Sequence, residues 1–342
     1  MTETVIAGAA SIDGLVPPRR LAHVNLFVSD LTASLAFYTQ VCGLEQVFAE
    51  PGIGACFLSN GHSHHDLAVM QVSDEALVGR DGHVQVSRGR GRHPGLNHLG
   101  WEMASEADLV TTIGALGGAG VRLHRTVDHQ ISHSAYLFDP DGIYHELYAD
   151  VPSDWREIYR ANENQLITGG WDPFATAPDP VPRWDAHPVT ARVEAAPLHP
   201  VRTARATLRV TDVERAQRFY RTALGLHPVT AADPAIGSGS VSGSGPVSSS
   251  RPVPGIPGPV VLGGSVGLPD LTLVPAGALP PGLDGFTLTL DSEDDLHRGR
   301  RRLTASGTPF EEVAHSAGPR GLSLRDPDGH RVVFALLGGL ER

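Results

Sequence analysis

The chain repeats itself. The stretch from His23 to Leu44 (HVNLFVSDLTASLAFYTQVCGL) returns from Arg205 to Leu226 (RATLRVTDVERAQRFYRTALGL) at a constant offset of 182 residues and without a gap. A chain of 342 residues that carries one pattern twice is a duplicated fold rather than one large module. Each copy opens with an alternating strand (Val24, Leu26 and Val28 in the first). An aspartate N-cap follows, Asp30 or Asp212, and then a short helix that turns Leu35 and Tyr38 to one side and closes at Gly43 or Gly225. A second echo, at an offset of 187, pairs Glu106-Ala-Asp-Leu with Glu293-Asp-Asp-Leu and Phe138-Asp-Pro-Asp-Gly with Arg325-Asp-Pro-Asp-Gly. Asp-Pro-Asp-Gly is a turn, because Pro sets one φ and Gly supplies a positive one. Its flanks, 135–138 and 144–148, are aromatic and branched, so the segment reads as a hairpin.

Two blocks per half, each a strand and helix followed by more strands, make an α+β fold of four βαβββ units at about 21–71, 95–149, 203–275 and 284–336. The expected organisation is a tail at 1–18, a paired domain at 19–150, a linker at 151–200 and a second paired domain at 201–342. The linker begins with a helix around Trp155 to Asn164 and turns Pro-rich. Residues 230–264 are dominated by Gly, Ser, Pro and Val, a composition that buries too little surface to order itself, so a disordered insertion is expected there.

Composition excludes several function classes. Hydrophobic residues at 41% and charged residues at 19% suit ordinary globular cores. No apolar run reaches the roughly 18 residues of a membrane span, and residues 1–20 lack a secretory pattern, so a cytoplasmic protein with no membrane partner is expected. The formal charge is −11, and all 27 basic residues are Arg, with no basic stripe, which argues against nucleic acid. Arg88, Arg90 and Arg92, spaced by glycines, read as a solvated loop. Cys42 and Cys56 are too few for a disulfide framework or a thiolate metal site.

Subtracting one half from the other isolates candidates for chemistry. His23 faces Arg205, His98 faces Gly285, Glu146 faces Val333, Tyr136 faces Ser323 and His65 faces Pro269. A stability requirement shared by both copies would keep such groups in both. Phe37, Tyr38, Phe219 and Tyr220 do recur and read as core, while His124 and His145 read as surface or packing residues. One strand histidine is ordinarily a hydrogen-bonded core residue. Two of them with Glu146, which would be costly to bury unpaired in its apolar strand, form a different kind of set. If equivalent strands lie side by side, His23, His98 and Glu146 converge. Two imidazoles and a carboxylate with open positions suit non-haem Fe(II), and Mn(II) or Zn(II) would also fit.

The segments LAHVNLFVSDLTASLAFY, SHHDLAVM, GLNHLGWEM and DHQISHSAYLFDPDGIYHELYADVPSDW resemble type I extradiol ring-cleavage dioxygenases of the vicinal oxygen chelate (glyoxalase/bleomycin resistance/dioxygenase) superfamily, in the catechol 2,3-dioxygenase-like branch. The resemblance covers about residues 20–160, and the superfamily's repeat extends to 338. It implies two glyoxalase-like domains and an Fe(II) site, with Mn(II) possible, formed by His23, His98 and Glu146. It further implies catalytic roles for His65, Tyr136 and His129, with a small aromatic diol and O₂ as reactants and a muconic semialdehyde-type acid as product. His65, near its ordinary pKa of about 6.5, would be the acid/base, Tyr136 would bond a substrate oxygen, and His129 would donate to one. His133 competes with His129, which the Asp-His-x-x-Ser pattern favours. The resemblance departs at Ser73 to Pro94, longer and richer in Arg and Gly than expected and a candidate lid or specificity loop. It departs again in arming the N-terminal half, where better-known two-domain members place the metal in the C-terminal one. The degenerate half is expected to complete a shell or a contact in a homo-oligomer. Two other readings stand beside this one: another metal-dependent member of the superfamily (isomerase, lyase or hydroquinone-type ring cleavage), or a non-enzymatic binder of aromatic compounds.

Overall fold

The computed structural model describes residues 12–79, 82–162, 168–185, 187–229, 258–313 and 321–336. In the first half, β1 (Arg20–Val28), α1 (Leu31–Ala36), β2 (Glu45–Glu50), β3 (Ala55–Ser59) and β4 (Leu67–Gln71) form one unit. A small hairpin, β5 (Leu77–Val78) and β6 (Val84–Val86), leads to the second unit of β7 (Gly95–Glu102), α2 (Glu106–Gly118), β8 (Arg125–Asp128), β9 (Ser132–Phe138) and β10 (Tyr144–Asp150). After α3 (Trp155–Ala161) and β11 (Gly169–Gly170), the pattern recurs as β12 (Pro200–Val210), α4 (Val213–Ala223), β13 (His227–Pro228), β14 (Val260–Gly263) and β15 (Leu271–Pro275). The last unit is β16 (Gly282–Leu290), α5 (Glu293–Ser306), β17 (Glu311–Val313), β18 (Gly321–Arg325) and β19 (Arg331–Ala335).

Each half makes one mixed sheet, β11-β8-β9-β10-β7-β1-β4-β3-β2 and β13-β14-β15-β12-β16-β19-β18-β17. The opening strands of the two units, β1 with β7 and β12 with β16, pair antiparallel at the centre of each sheet, flanked by the parallel closing strands of their own units. Equivalent strands therefore do lie side by side. Strand alternation sends Val24, Leu26, Val28, Leu99, Trp101, Ala135 and Leu147 into the main core, leaving His23, Asn25, His98, Tyr136 and Glu146 for the other face. The repeated caps form as expected: Asp30 Oδ1 accepts from Ala33 N at 2.9 Å and Asp212 Oδ1 from Arg215 N at 3.0 Å, each contact worth about 1 kcal/mol to its helix.

The repeated Asp-Pro-Asp-Gly turns do more than turn. Asp139 of the first half accepts from the Tyr220 hydroxyl of the second at 2.7 Å, and Asp326 of the second accepts from Tyr38 of the first at 2.8 Å. Two residues on, Asp141 takes the Thr211 backbone N–H at 2.8 Å and Asp328 takes that of Ser29 at 3.0 Å. Each half thus caps the strand-to-helix corner of the other.

Several boundary expectations change. Residues 12–18 do not hang loose, because Val16 exchanges backbone hydrogen bonds with Thr112 Oγ1 at 3.2 and 2.8 Å and Leu15 packs on the core. The linker helix ends at Ala161, and the linker is also part of the first half: β11 extends that sheet along β8, and Ala191 N reaches Asn60 O at 2.8 Å. Most of the expected insertion, 230–257, lies outside the described residues, but its end is not irregular, since Val260–Gly263 is a strand paired with β15. Both cysteines are free and buried. Among the described residues no helix is long and apolar enough to cross a membrane.

Candidate metal centre

The sheet register brings the first-half candidates into one row. Tyr136 on β9 pairs with Glu146 on β10, Glu146 pairs with Gly100 on β7, and Gly100 pairs with His23 on β1. Glycine at the third place is a steric requirement. A Cβ built on Gly100 would stand 1.9 Å from His23 Nε2 and 2.1 Å from Cε1, so the His23 ring crosses β7 through the space a side chain would fill. It reaches Glu146 Oε2 at 3.0 Å. His98, two residues before Gly100 on the same face, places its Nε2 3.0 Å from the same oxygen. The ligating atoms of His23, His98 and Glu146 all lie within 4.8 Å of one another, and all three residues are buried.

The electrostatics of this group ask for a cation. Burial, opposed by contact with Glu146, pushes the His23 imidazole down to about 4, and burial likewise lowers His98. Both are neutral at pH 7. Burial alone would raise the Glu146 carboxyl, but hydrogen bonds from His23 and His98 outweigh it and hold the group well below the usual carboxylate range. The result is a buried anion whose closest partners are two neutral imidazoles and a phenol, a charge that the interior tolerates poorly without a counter-ion. Among the described residues His23 Nδ1 has no hydrogen-bond partner. Two imidazoles and a carboxylate are a donor set suited to Fe(II), Mn(II) or Zn(II), so these residues fit a divalent metal.

The remaining candidates surround the group. Tyr136 donates to Glu146 Oε1 at 2.7 Å, so the hydroxyl expected to meet substrate is spent on the carboxylate. His129 Nε2 lies 2.9 Å from the Tyr136 hydroxyl; with that proton committed to Glu146, His129 must be the donor, and burial holds it neutral with a pKa of about 4. His133 is elsewhere, its Nδ1 2.6 Å from Glu106 and its ring stacked on Trp171 at 4.4 Å. His65 stacks on His23 at 4.1 Å, and among the described residues neither of its ring nitrogens has a partner. The expectation of an ordinary pKa for His65 is corrected: burial, reinforced by His23 and His64, drives it well below 6.5. A cavity of about 790 Å³, counted as all space between atoms and including its open mouth, is lined by His65, His98, His129, Tyr136 and Glu146.

Other residues enter that the repeat comparison did not single out. Asn25 Nδ2 lies 2.9 Å from His98 Nε2, His64 Nδ1 lies 3.0 Å from Asp150, and Arg90 and Arg125 line the cavity. Arg90 corrects the reading of its loop as wholly solvated. His145, buried rather than at the surface, connects Trp101 Nε1 to the Tyr220 hydroxyl, with both contacts at 3.1 Å.

A family model described as the Glyoxalase/Bleomycin resistance protein/Dioxygenase superfamily matches residues 20–147 and 202–334. The chain belongs to this superfamily. Within it, the chain is 29% identical over 163 residues to biphenyl-2,3-diol 1,2-dioxygenase 3 of Rhodococcus globerulus, a match covering 46% of this chain and 80% of that protein. Biphenyl-2,3-diol 1,2-dioxygenase 2 of the same organism is 27% identical over 131 residues, 38% of this chain and 63% of that one. Among superfamily structures, the 2,3-dioxygenase LapB from Pseudomonas sp. KL28 superposes with a TM-score of 0.61 at 15% identity, covering 95% of this chain and 94% of that one. The Mn(II)-bound glyoxalase from Novosphingobium aromaticivorans gives 0.59 at 16%, covering 94% and 83%. At such identities these likenesses speak to the fold, two glyoxalase-like domains in one chain.

Proposed function

We propose that this superfamily member is an Fe(II)-dependent extradiol dioxygenase that opens the ring of a catechol-type diol with O₂, using His23, His98 and Glu146 as metal ligands, His65 as the catalytic acid/base, and Tyr136 and His129 as groups that position the carboxylate. One observation carries the reading: His23 Nε2 and His98 Nε2 each lie 3.0 Å from Glu146 Oε2 beside a cavity that is also lined by His65, whose ring nitrogens have no partner among the described residues. The relation to the two biphenyl-2,3-diol dioxygenases supports it.

Bound beside that cavity, a redox-active divalent ion supplies a common template for diol and dioxygen and a path for electrons between them. The chain's own groups handle protons and orientation. His65, neutral and with ring nitrogens that no other described residue engages, accepts a proton from a diol hydroxyl and returns it as the acid product forms. Tyr136 donates to Glu146 and fixes the carboxylate's direction, and His129, by donating to Tyr136 Oη, fixes the phenol in turn. Overall, a ring bond next to the diol breaks, its carbons are oxidised, both oxygen atoms enter the ring-opened acid, and no external reductant is needed.

The test is anaerobic loading with Fe(II), and with Mn(II) in parallel, followed by biphenyl-2,3-diol and a panel of substituted catechols and then admission of air. A yellow ring-opened product with stoichiometric O₂ uptake is expected. Absence of both across the panel overturns the reading.

A further inference from the structure

Arg88, Arg90 and Arg92 take different paths. Arg88 and Arg92 stay at the surface, 3.0 Å from Glu75 and 3.6 Å from Asp74. Arg90 turns into the cavity wall, its guanidinium carbon 4.0 Å over the Tyr144 ring and its Nη2 2.6 Å from the Asn97 carbonyl. Arg125, on β8, lines the same cavity 5.1 Å from the Tyr136 ring, with Nη1 and Nη2 donating to the carbonyls of Val84 and Gln85 at 2.7 and 2.8 Å. The groups that hold both arginines are neutral. Among the described residues neither arginine has a carboxylate partner within ion-pair distance, and Arg125 Nε, buried, has no hydrogen-bond partner.

The cavity does not compensate these charges. Of its two carboxylates, Glu146 is engaged by His23, His98 and Tyr136, and among the described residues Glu50 forms no ion pair with either arginine. Arg90, pushed down to about 10 mainly by burial and also by Arg125, is still charged at neutral pH. Both arginines line the same cavity as His98 and Glu146 of the metal centre. Fixed guanidinium forks over aromatic rings suit a planar anion, and a neutral ligand would leave them without one.

We propose that the diol entering this cavity carries a carboxylate, on the ring or on a short side chain, and that Arg90 and Arg125 receive it while the two hydroxyls face the metal centre. The statement about the hydroxyls rests on the ring-cleavage reading; the statement about the carboxylate rests on the two arginines. Together they narrow the substrate class to acidic catechols and make Arg90 and Arg125 specificity-determining residues.

The experiment compares 2,3- and 3,4-dihydroxybenzoate with their methyl esters on the full-length, Fe(II)-loaded protein. Anaerobic calorimetry gives Kd, and O₂ uptake then gives kcat/KM. At least one acid is expected to bind about 10- to 100-fold more tightly than its ester, the usual range for a hydrogen bond to a charged group. Arg90→Gln and Arg125→Gln should each shrink that ratio, and Arg90→Lys should keep part of it. Equal affinity for acid and ester in the unaltered protein overturns the proposal even if no variant folds. A loss shared equally by acid and ester in the variants also overturns it, because the arginines then only hold the β5–β6 hairpin down. An acid preference that both arginines support, without ring opening, keeps this proposal and removes the ring-cleavage reading instead.

Discussion

The two halves share a skeleton and differ in one row of side chains. Where the first half runs His23, Gly100, Glu146 across its central strands, the second runs Arg205, Thr287, Val333 through the same pairings. The second half has lost more than ligands. Thr287 fills the place that Gly100 leaves open, so a ring on β12 could not cross β16 as His23 crosses β7, and Arg205 instead directs Nε to the Pro269 carbonyl at 2.7 Å. A residue without a functional group is thus as much a part of the site as the residues that carry one.

The most disruptive way to break this comparison is to give the first half the second half's residue. Gly100→Thr should push His23 off Glu146, so that bound metal, read by elemental analysis, and turnover fall together. The expected loss exceeds the roughly 10⁴-fold that a single proton-transfer group supplies, and normal metal content in the folded variant would refute the crossing argument. His65→Ala comes next. Here metal should stay bound while turnover drops by about 10² to 10⁴; full turnover with iron retained would strip His65 of its assigned role.

Features common to both copies should respond alike. Asp139→Ala and Asp326→Ala each take a carboxylate acceptor from a buried tyrosine hydroxyl, and each should cost about 1–3 kcal/mol in urea unfolding. A large cost on one side only would show that the exchange is not reciprocal. Asp66 and Asp270, aligned in the two halves, are pushed up by burial to about 6 and about 7 from an ordinary 3.8. A raised folded-state pKa means that the fold holds the proton more tightly than the unfolded chain does. Asp270's contribution is therefore complete below about pH 4 and is lost as pH rises towards 7. The stability of the unaltered protein relative to Asp270→Asn should decline across that window, and a flat or rising difference would contradict the assignment. The mildest expectation is Thr287→Gly. It should weaken its strand by about 1 kcal/mol or less and leave metal content unchanged, whereas metal gained by the second half would mean that the glycine alone arms a site.

Subtracting one copy from the other worked where the copies differ and failed where they agree or cannot be aligned. It isolated His23, His98, Glu146, Tyr136 and His65, because each faces an unlike residue. Asn25 escaped because it faces Thr207, polar as well, although it reaches His98. The Tyr–Asp exchange escaped because both of its members repeat, and repetition marked them as packing and turn residues without showing that each bonds across to the other copy. Arg90 was out of reach for a third reason. Its segment has no counterpart in the second half, and nothing in an alternation of Arg and Gly says which guanidinium turns inward. Gly100 was legible only with the strand register in hand, since its meaning lies in a neighbour 77 positions away in sequence.

The crossed aspartates also bear on how far this molecule can be pared down. A front half cut free would keep every residue proposed for chemistry, yet it would lose the carboxylates that the other half sets against the Tyr38 phenol and the Ser29 amide, and would open the buried Tyr38 to water. The silent copy is therefore a brace its sibling cannot shed, and any minimal version of the protein has to begin by redesigning the corner at residues 29 and 38.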